Sequence, residues 1–104
     1  MLESKFINRI AQEVSLREEQ VARAIELFEG GATIPFVARY RKDLTGSLDE
    51  TRLEAIHERA QYFSSLAQRR DSVLDIIDKQ GKLTGELRAE IDACFDRTHL
   101  EDLY

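Results

Sequence analysis

The longest stretch without a helix-breaking residue runs from Ser47 to Gln80, where neither glycine nor proline occurs. Its apolar residues recur at alternating steps of three and four, the spacing of a helix that buries one stripe. The stripe comprises Leu53, Ile56, Ala60, Phe63, Ala67, Arg70, Leu74 and Ile77, with Arg70 as its polar exception. A helix over 49–80 would be about 48 Å long at a rise of ~1.5 Å per residue. Because a compact domain of this size is only about 26 Å across, we expect part of the helix to project or to pack on something beyond this chain.

Shorter helical patterns lie on both sides of the long helix, so we expect an all-α fold. Residues 2–14 and 15–29 each place their apolar side chains on one face, and the two helices should pack as a helical hairpin. After Gly81, one or two C-terminal helices should fold back on the far half of the long helix. We therefore predict a helix-turn-helix-like subdomain over about residues 1–46 and a second part over 47–104.

The segment between the hairpin and the long helix contains the only proline of the chain. Gly30 or Gly31 should end the preceding helix in the left-handed conformation, which glycine adopts without steric cost. Pro35 is tolerated in the first turn of the next helix, because its missing N–H is not needed there. We expect a short helix of about three turns that ends near Leu44, followed by a break at Gly46.

The short helix also holds a tight cluster of positive charge in a chain whose net charge is −5. Its apolar positions predict an inward face, and its cations should then point wholly or partly outward. The inward residues are Phe36, Val37 and Tyr40, and the outward cations are Arg39, Arg41 and Lys42.

Two interpretations of these cations remain open. They pair with carboxylates on neighbouring helices or on domains outside this chain, or they contact the phosphates of RNA or DNA, with Arg52 as a fourth member of the patch. Readout of bases is not expected, because Pro35 and Phe36 occupy the N-terminal positions of the helix and neither can hydrogen-bond to a base edge. Three phosphate contacts would give only weak, salt-sensitive binding. An open patch would favour nucleic acid, and coverage by Asp and Glu would favour a structural role.

No residue pattern indicates catalysis, a metal or a cofactor. Glu54 and His57 form one Glu-x-x-His pair, whereas a di-iron bundle needs two such pairs and two further glutamates. Cys94 lies at an apolar helical position with no nearby histidine in sequence, which favours a buried, inert thiol. The Gly30–Gly31 turn lacks the Lys-Ser/Thr of a phosphate-binding loop. We therefore expect a chain that is not an enzyme and needs no cofactor or metal.

The composition also limits where the protein works. A net charge of −5 argues against a surface that coats nucleic acid throughout. The single cysteine cannot form an internal disulfide, so we expect a reducing, cytoplasmic location. No apolar run approaches the ~20 residues of a membrane span, and we expect no membrane partner.

The segment "GATIPFVARYRKDLTGSLDE", preceded by "IAQEVSLREEQVARAIELFEGG", resembles the N-terminal region of the Tex family of bacterial transcription accessory proteins. The stretches "ERAQYF", "QRRDSVLDIIDKQGKLTGEL" and "LEDLY" match as well, so the resemblance spans nearly the whole chain. It implies a helical N-terminal module of a longer parent chain, in which a C-terminal domain is the main RNA-binding unit.

Within the setting that the resemblance implies, and because no catalytic constellation occurs, we favour a non-catalytic, architectural role. The module would dock on later domains of the parent chain or on the transcription machinery, in a protein that regulates transcription. The alternative is direct nucleic-acid binding by the basic helix at Arg39–Lys42. Because the sequence ends on the apolar residues Leu103 and Tyr104, we expect a fragment of a longer chain. The oligomeric state is left open.

Overall fold

The computed structural model describes residues 2–104, in which the regular elements are all α-helices. In chain order they are α1 (Ser4–Val14), α2 (Glu18–Glu29), α3 (Ile34–Tyr40), α4 (Lys42–Thr45), α5 (Glu50–Lys79), α6 (Gly85–Asp92) and α7 (Arg97–Leu103). This order confirms the predicted all-α fold with its long helix. No helix within residues 2–104 is both long enough and apolar enough to cross a membrane.

The chain forms two compact units, one up to Tyr62 and the other from Phe63 to Tyr104. The division falls inside α5, so each unit uses one half of that helix. The subdomain boundary near residue 46 lies within the first unit and stays a prediction.

The first unit is built on the predicted hairpin. Ser15 ends α1 in the left-handed conformation at φ 57°, so α2 begins at Glu18 instead of directly after α1. The buried residues of this unit are Phe6, Ile7, Ile10, Ala11, Val21, Ala24, Ile25, Val37, Thr45, Leu48, Leu53 and Ile56. The first half of α5 completes this core with Leu53 and Ile56. On the surface, Arg59 Nε of the same helix donates to Glu13 Oε1 of α1 at 2.7 Å.

The second unit packs around the other half of α5. Its buried residues are Phe63, Leu66, Val73, Leu74, Ile77, Ile91, Cys94 and Leu100. Phe95, between α6 and α7, meets Phe63 edge-on at a ring-centroid distance of 6.3 Å. Leu66 and Val73 lie outside the predicted stripe, which was too narrow because a buried helix face is wider than a two-position seam.

The long helix has clear signals at both ends. Asp49 Oδ1 accepts a hydrogen bond from the Arg52 N–H at 2.9 Å, which satisfies a donor of the first turn. After Lys79 the chain leaves the helix, and Gly81 adopts φ 71°. The predicted span of 49–80 is therefore correct to within one residue at each end.

The predicted single helix ending near Leu44 is wrong, because the structure has two short helices there. α3 stops at Tyr40, and Arg41 adopts φ −129° and ψ 35°, which breaks the helical path. α4 then forms one turn, and Gly46 closes it at φ 75°. This break determines which side chains of the segment reach solvent.

Candidate interaction surface

The start of α3 is fixed by local hydrogen bonding. Gly31 turns the chain after α2 in the left-handed region, at φ 95°. Thr33 Oγ1 then accepts a hydrogen bond from the Phe36 N–H at 3.3 Å, and Pro35 occupies the first turn, where no donor is required. Val37 is fully buried and anchors the helix against the first unit's core.

The α4 turn is held by Thr45, a fully buried polar residue. Its hydroxyl donates to the Arg41 carbonyl at 3.3 Å and accepts from the Leu48 N–H at 3.4 Å. Its carbonyl accepts from Gln20 Nε2 of α2 at 3.0 Å. This anchor was not predicted from the sequence, because a lone threonine carries no burial signal.

The prediction that Phe36 and Tyr40 point inward is wrong. Phe36 is 40% exposed and Tyr40 is 58% exposed, and Leu44 of α4 is 37% exposed. Residues four apart share one side of a helix, whereas Val37 lies about 100° around the axis from Phe36. In α3 the side that carries Val37 meets the core, and the side that carries the two aromatic rings faces solvent.

The exposed aromatic side chains are ordered by contacts with each other and with Arg41. The rings of Phe36 and Tyr40 have centroids 5.3 Å apart and are tilted by 48°. The Arg41 guanidinium lies 5.0 Å from the Phe36 ring centroid, within cation–π range, and its Nη1 donates to the Tyr40 carbonyl at 3.0 Å. We call Phe36, Tyr40, Arg41 and Leu44 the α3–α4 surface.

A groove of about 720 Å³ separates this surface from the end of α2. It is lined by Arg23, Glu26, Leu27, Gly30, Gly31, Ala32, Thr33, Phe36, Arg41 and Leu44. Both walls are therefore partly apolar, with charged groups at the edges.

The cations singled out in the sequence are all exposed: Arg39, Arg41, Lys42 and Arg52. Within residues 2–104, none of the four side chains has a carboxylate at ion-pair distance. The interpretation that carboxylates of neighbouring helices pair with them is therefore wrong. Arg41 joins the aromatic pair, whereas Arg52 lies on another helix, in the first turn of α5.

The Glu54–His57 pair was the candidate for a metal site in the sequence. In the described part of the chain, no three His, Cys, Asp or Glu side chains are placed to hold a metal ion. His57 of the Glu-x-x-His pair instead meets Phe28 edge-on at 5.1 Å.

The expectation that Cys94 has no histidine nearby is wrong, because the turn between α6 and α7 places His99 Nδ1 3.6 Å from Cys94 Sγ. The thiol is buried and also donates to the Glu90 carbonyl at 3.4 Å. The sequence signal that could have predicted this contact is the spacing of five residues between Cys94 and His99, on either side of a helix break.

Comparison with known proteins identifies the family of this chain. Residues 4–78 match the family model described as the Tex-like protein N-terminal domain. The transcriptional accessory protein Tex of Neisseria gonorrhoeae is 50% identical over 95 residues, 91% of this chain and 12% of that protein. Protein YhgF of Escherichia coli is 45% identical over 104 residues, the whole of this chain and 14% of that protein.

More distant similarity extends to a human protein, S1 RNA-binding domain-containing protein 1. It is 29% identical over 79 residues, 76% of this chain and 8% of that protein. The chain thus spans about a seventh or less of the length of these relatives. From the family match and the bacterial relatives together, the chain belongs to the Tex family, in the N-terminal domain.

Proposed function

We propose that this chain is a non-catalytic docking module of a longer Tex-family protein and that the α3–α4 surface makes the contact. The main support for this proposal is that Phe36, Tyr40 and Leu44 are all exposed side by side on two short helices. The much greater length of the relatives supports a partner within the same protein, because most of each relative lies outside the matched segment.

The size of the surface favours a partner in the same chain over a separate protein. With these exposures, the three side chains leave roughly 200–300 Å² of apolar area, given ~150–250 Å² for each aromatic side chain. Covering that area would stabilise a contact by about 5–7 kcal/mol at ~25 cal/mol per Å². Free association costs about 4–15 kcal/mol, so the surface alone would bind a separate partner weakly. A tether raises the effective concentration and removes most of that cost.

Hydrogen exchange in a chimera tests this proposal. The matching segment of E. coli YhgF would be replaced by this chain, and exchange of the α3–α4 amides would be compared with the isolated 104-residue chain. We expect slower exchange in the chimera, and Tyr40→Ala should remove the protection. Tyr104→Ala is the matched control, because Tyr104 is 54% exposed in the second unit. Equal exchange of α3–α4 in both proteins would refute docking through this surface.

Nucleic-acid contact is the second candidate. The exposed cations Arg39, Arg41 and Lys42 favour it, because none of them has a carboxylate partner within residues 2–104. A relative whose name includes an S1 RNA-binding domain supports testing RNA first. Fluorescence anisotropy with single-stranded RNA and duplex DNA, at about 50 and 200 mM salt, would show salt-sensitive binding if phosphates are contacted. Binding should be lost when the three cations are changed together to Ala.

The control for that experiment changes Lys79, Lys82 and Arg88, three exposed cations of the second unit, to Ala. Equal loss in both variants would mean that only net charge matters, and no binding by the folded wild type would remove this candidate. The helix-turn-helix character and the cytoplasmic location stay predictions.

A further inference from the structure

The groove beside the α3–α4 surface is lined in part by the small residues Gly30, Gly31 and Ala32. A Cβ added at Gly31 would meet no atom within 4 Å, so the groove is open beside that residue. Leu27 stands on the α2 wall, and Phe36 and Leu44 stand on the opposite wall. The groove has a volume of about 720 Å³ and is open to solvent, so it has room for one or more apolar side chains.

The charges on the two walls differ. On the α3–α4 wall, Arg41 uses one N–H for the Tyr40 carbonyl and has no carboxylate partner among residues 2–104. A guanidinium has five N–H donors in a planar fork that matches a carboxylate. On the α2 wall, Arg23 is paired with Glu19 at 3.2 Å. Glu26 is the groove's carboxylate on that side. The groove is therefore polarised, with its unpaired positive charge on the α3–α4 wall.

The walls suit a protein segment better than a nucleic acid. Base stacking needs an open aromatic face, but the Phe36 ring is already flanked by Arg41 at 5.0 Å and by Tyr40 at 5.3 Å. Leu27 and Leu44 are aliphatic and match aliphatic side chains. A carboxylate on the segment would accept hydrogen bonds from the remaining N–H groups of Arg41, and the neighbouring Lys42 would add electrostatic attraction to that carboxylate.

We propose that the groove between α2 and the α3–α4 surface binds an acidic amphipathic helix, with a leucine-sized anchor between Leu27 and Leu44 and a carboxylate on Arg41. This inference rests on the proposed docking function and identifies the chemistry of the docked segment. Helices of this kind bind grooves through apolar residues spaced three and four apart.

The test is a titration of the ¹⁵N-labelled 104-residue chain with synthetic helical peptides, followed by amide chemical shifts. The first peptide has leucines at spacings of three and four with glutamates beside them. The second has lysines in place of the glutamates, and the third has serines in place of the leucines. Oligouridine RNA is the fourth probe. We expect the first peptide to shift the amides of Leu27, Ala32 and Leu44, with at least tenfold weaker binding of the other two peptides.

Two charge variants test the polarity. Arg41→Glu should reverse the preference between the glutamate and lysine peptides, whereas Glu26→Gln should keep or strengthen binding of the glutamate peptide. Both side chains are exposed, so both variants should fold, as circular dichroism would verify. Leu44→Ser should weaken every leucine peptide.

Several results would overturn the proposal: no groove shifts with any peptide, binding insensitive to Arg41→Glu, or shifts of the groove amides by RNA alone. The last result would assign the groove to nucleic acid. The chimera experiment distinguishes failure of the docking proposal from failure of the groove proposal. Protection of α3–α4 that survives Leu44→Ser and Arg41→Glu would leave docking in place and refute the groove. Peptide binding without protection in the chimera would refute docking within the chain and support the groove.

Discussion

A matched pair of phenylalanines tests whether α3 is anchored by Val37 instead of by its aromatic residues. Phe36 is 40% exposed, and Phe6 of α1 is 1% exposed. Both lie in the first compact unit, so one unfolding transition reports on both. The two substitutions to Ala remove the same atoms and differ only in burial.

The expected magnitudes differ clearly. Full burial of a Phe side chain contributes about 1.5–3 kcal/mol, so truncation of the partly exposed Phe36 should cost ~1–2 kcal/mol. Phe6→Ala also leaves a cavity and should cost about 3–5 kcal/mol. At a urea m-value of about 2 kcal/mol per M, the middle of the range for small proteins, the midpoint should fall by ~0.5–1 M for Phe36→Ala and by roughly 1.5–2.5 M for Phe6→Ala.

Urea titrations followed by far-UV circular dichroism would measure these shifts. If Phe6→Ala unfolds the chain, Phe6→Leu and Phe36→Leu are compared instead, and the buried position should again show the larger loss of stability. A cost for Phe36→Ala equal to that of Phe6→Ala would refute the outward placement of the ring. It would restore Phe36 as a core residue of α3.

Three further outcomes follow from local geometry. Gly46→Ala should lower the urea midpoint more than Gly31→Ala. Both glycines have positive φ, which costs ~1–2 kcal/mol for a non-glycine residue, but a Cβ at Gly46 would also lie 2.6 Å from Gln20 Nε2. Equal midpoints for the two variants would contradict this reasoning. The Arg69 guanidinium, which donates to the Glu101 carboxylate at 2.6 Å, lowers the pKa of that carboxyl below its ordinary value of 4.5. A lowered folded pKa contributes stability that is present above pH 4.5 and lost as pH falls through the lower folded value. Glu101→Gln should flatten the pH dependence of thermal unfolding there, and an unchanged slope would refute the contribution. Cys94 is 4% exposed, so a thiol reagent should modify it slowly in the native chain and rapidly in denaturant; fast native modification would contradict its burial.

Local rules were enough for the elements whose signals lie within a few residues. The long helix follows from the absence of glycine and proline, from Asp49 as a cap and from Gly81 after its end. A left-handed glycine at Gly30 or Gly31 was likewise predicted from backbone sterics, and the structure has it at Gly31. The family could also be identified from the sequence, because the stretch around Pro35 is long and unusual.

The candidate surface required the tertiary structure. Apolar periodicity identifies which residues can be buried, but it does not say which side of a short helix meets the core. Val37 occupies the core position, and the turn after the break at Arg41 is held by Gln20, which donates to the Thr45 carbonyl from 25 positions earlier in the chain. No local pattern contains that contact, so Phe36 and Tyr40 could not be recognised as exposed.

The sequence by itself determined the all-α class, the long helix with its ends and the charge of α3 and α4, because these depend on side-chain chemistry and on contacts a few residues apart. The tertiary structure alone decided that α3 and α4 are separate helices, that their cations have no carboxylate partner within residues 2–104 and that two aromatic rings face solvent. Those properties depend on packing between distant segments, where the burial of one side chain fixes the exposure of its neighbours.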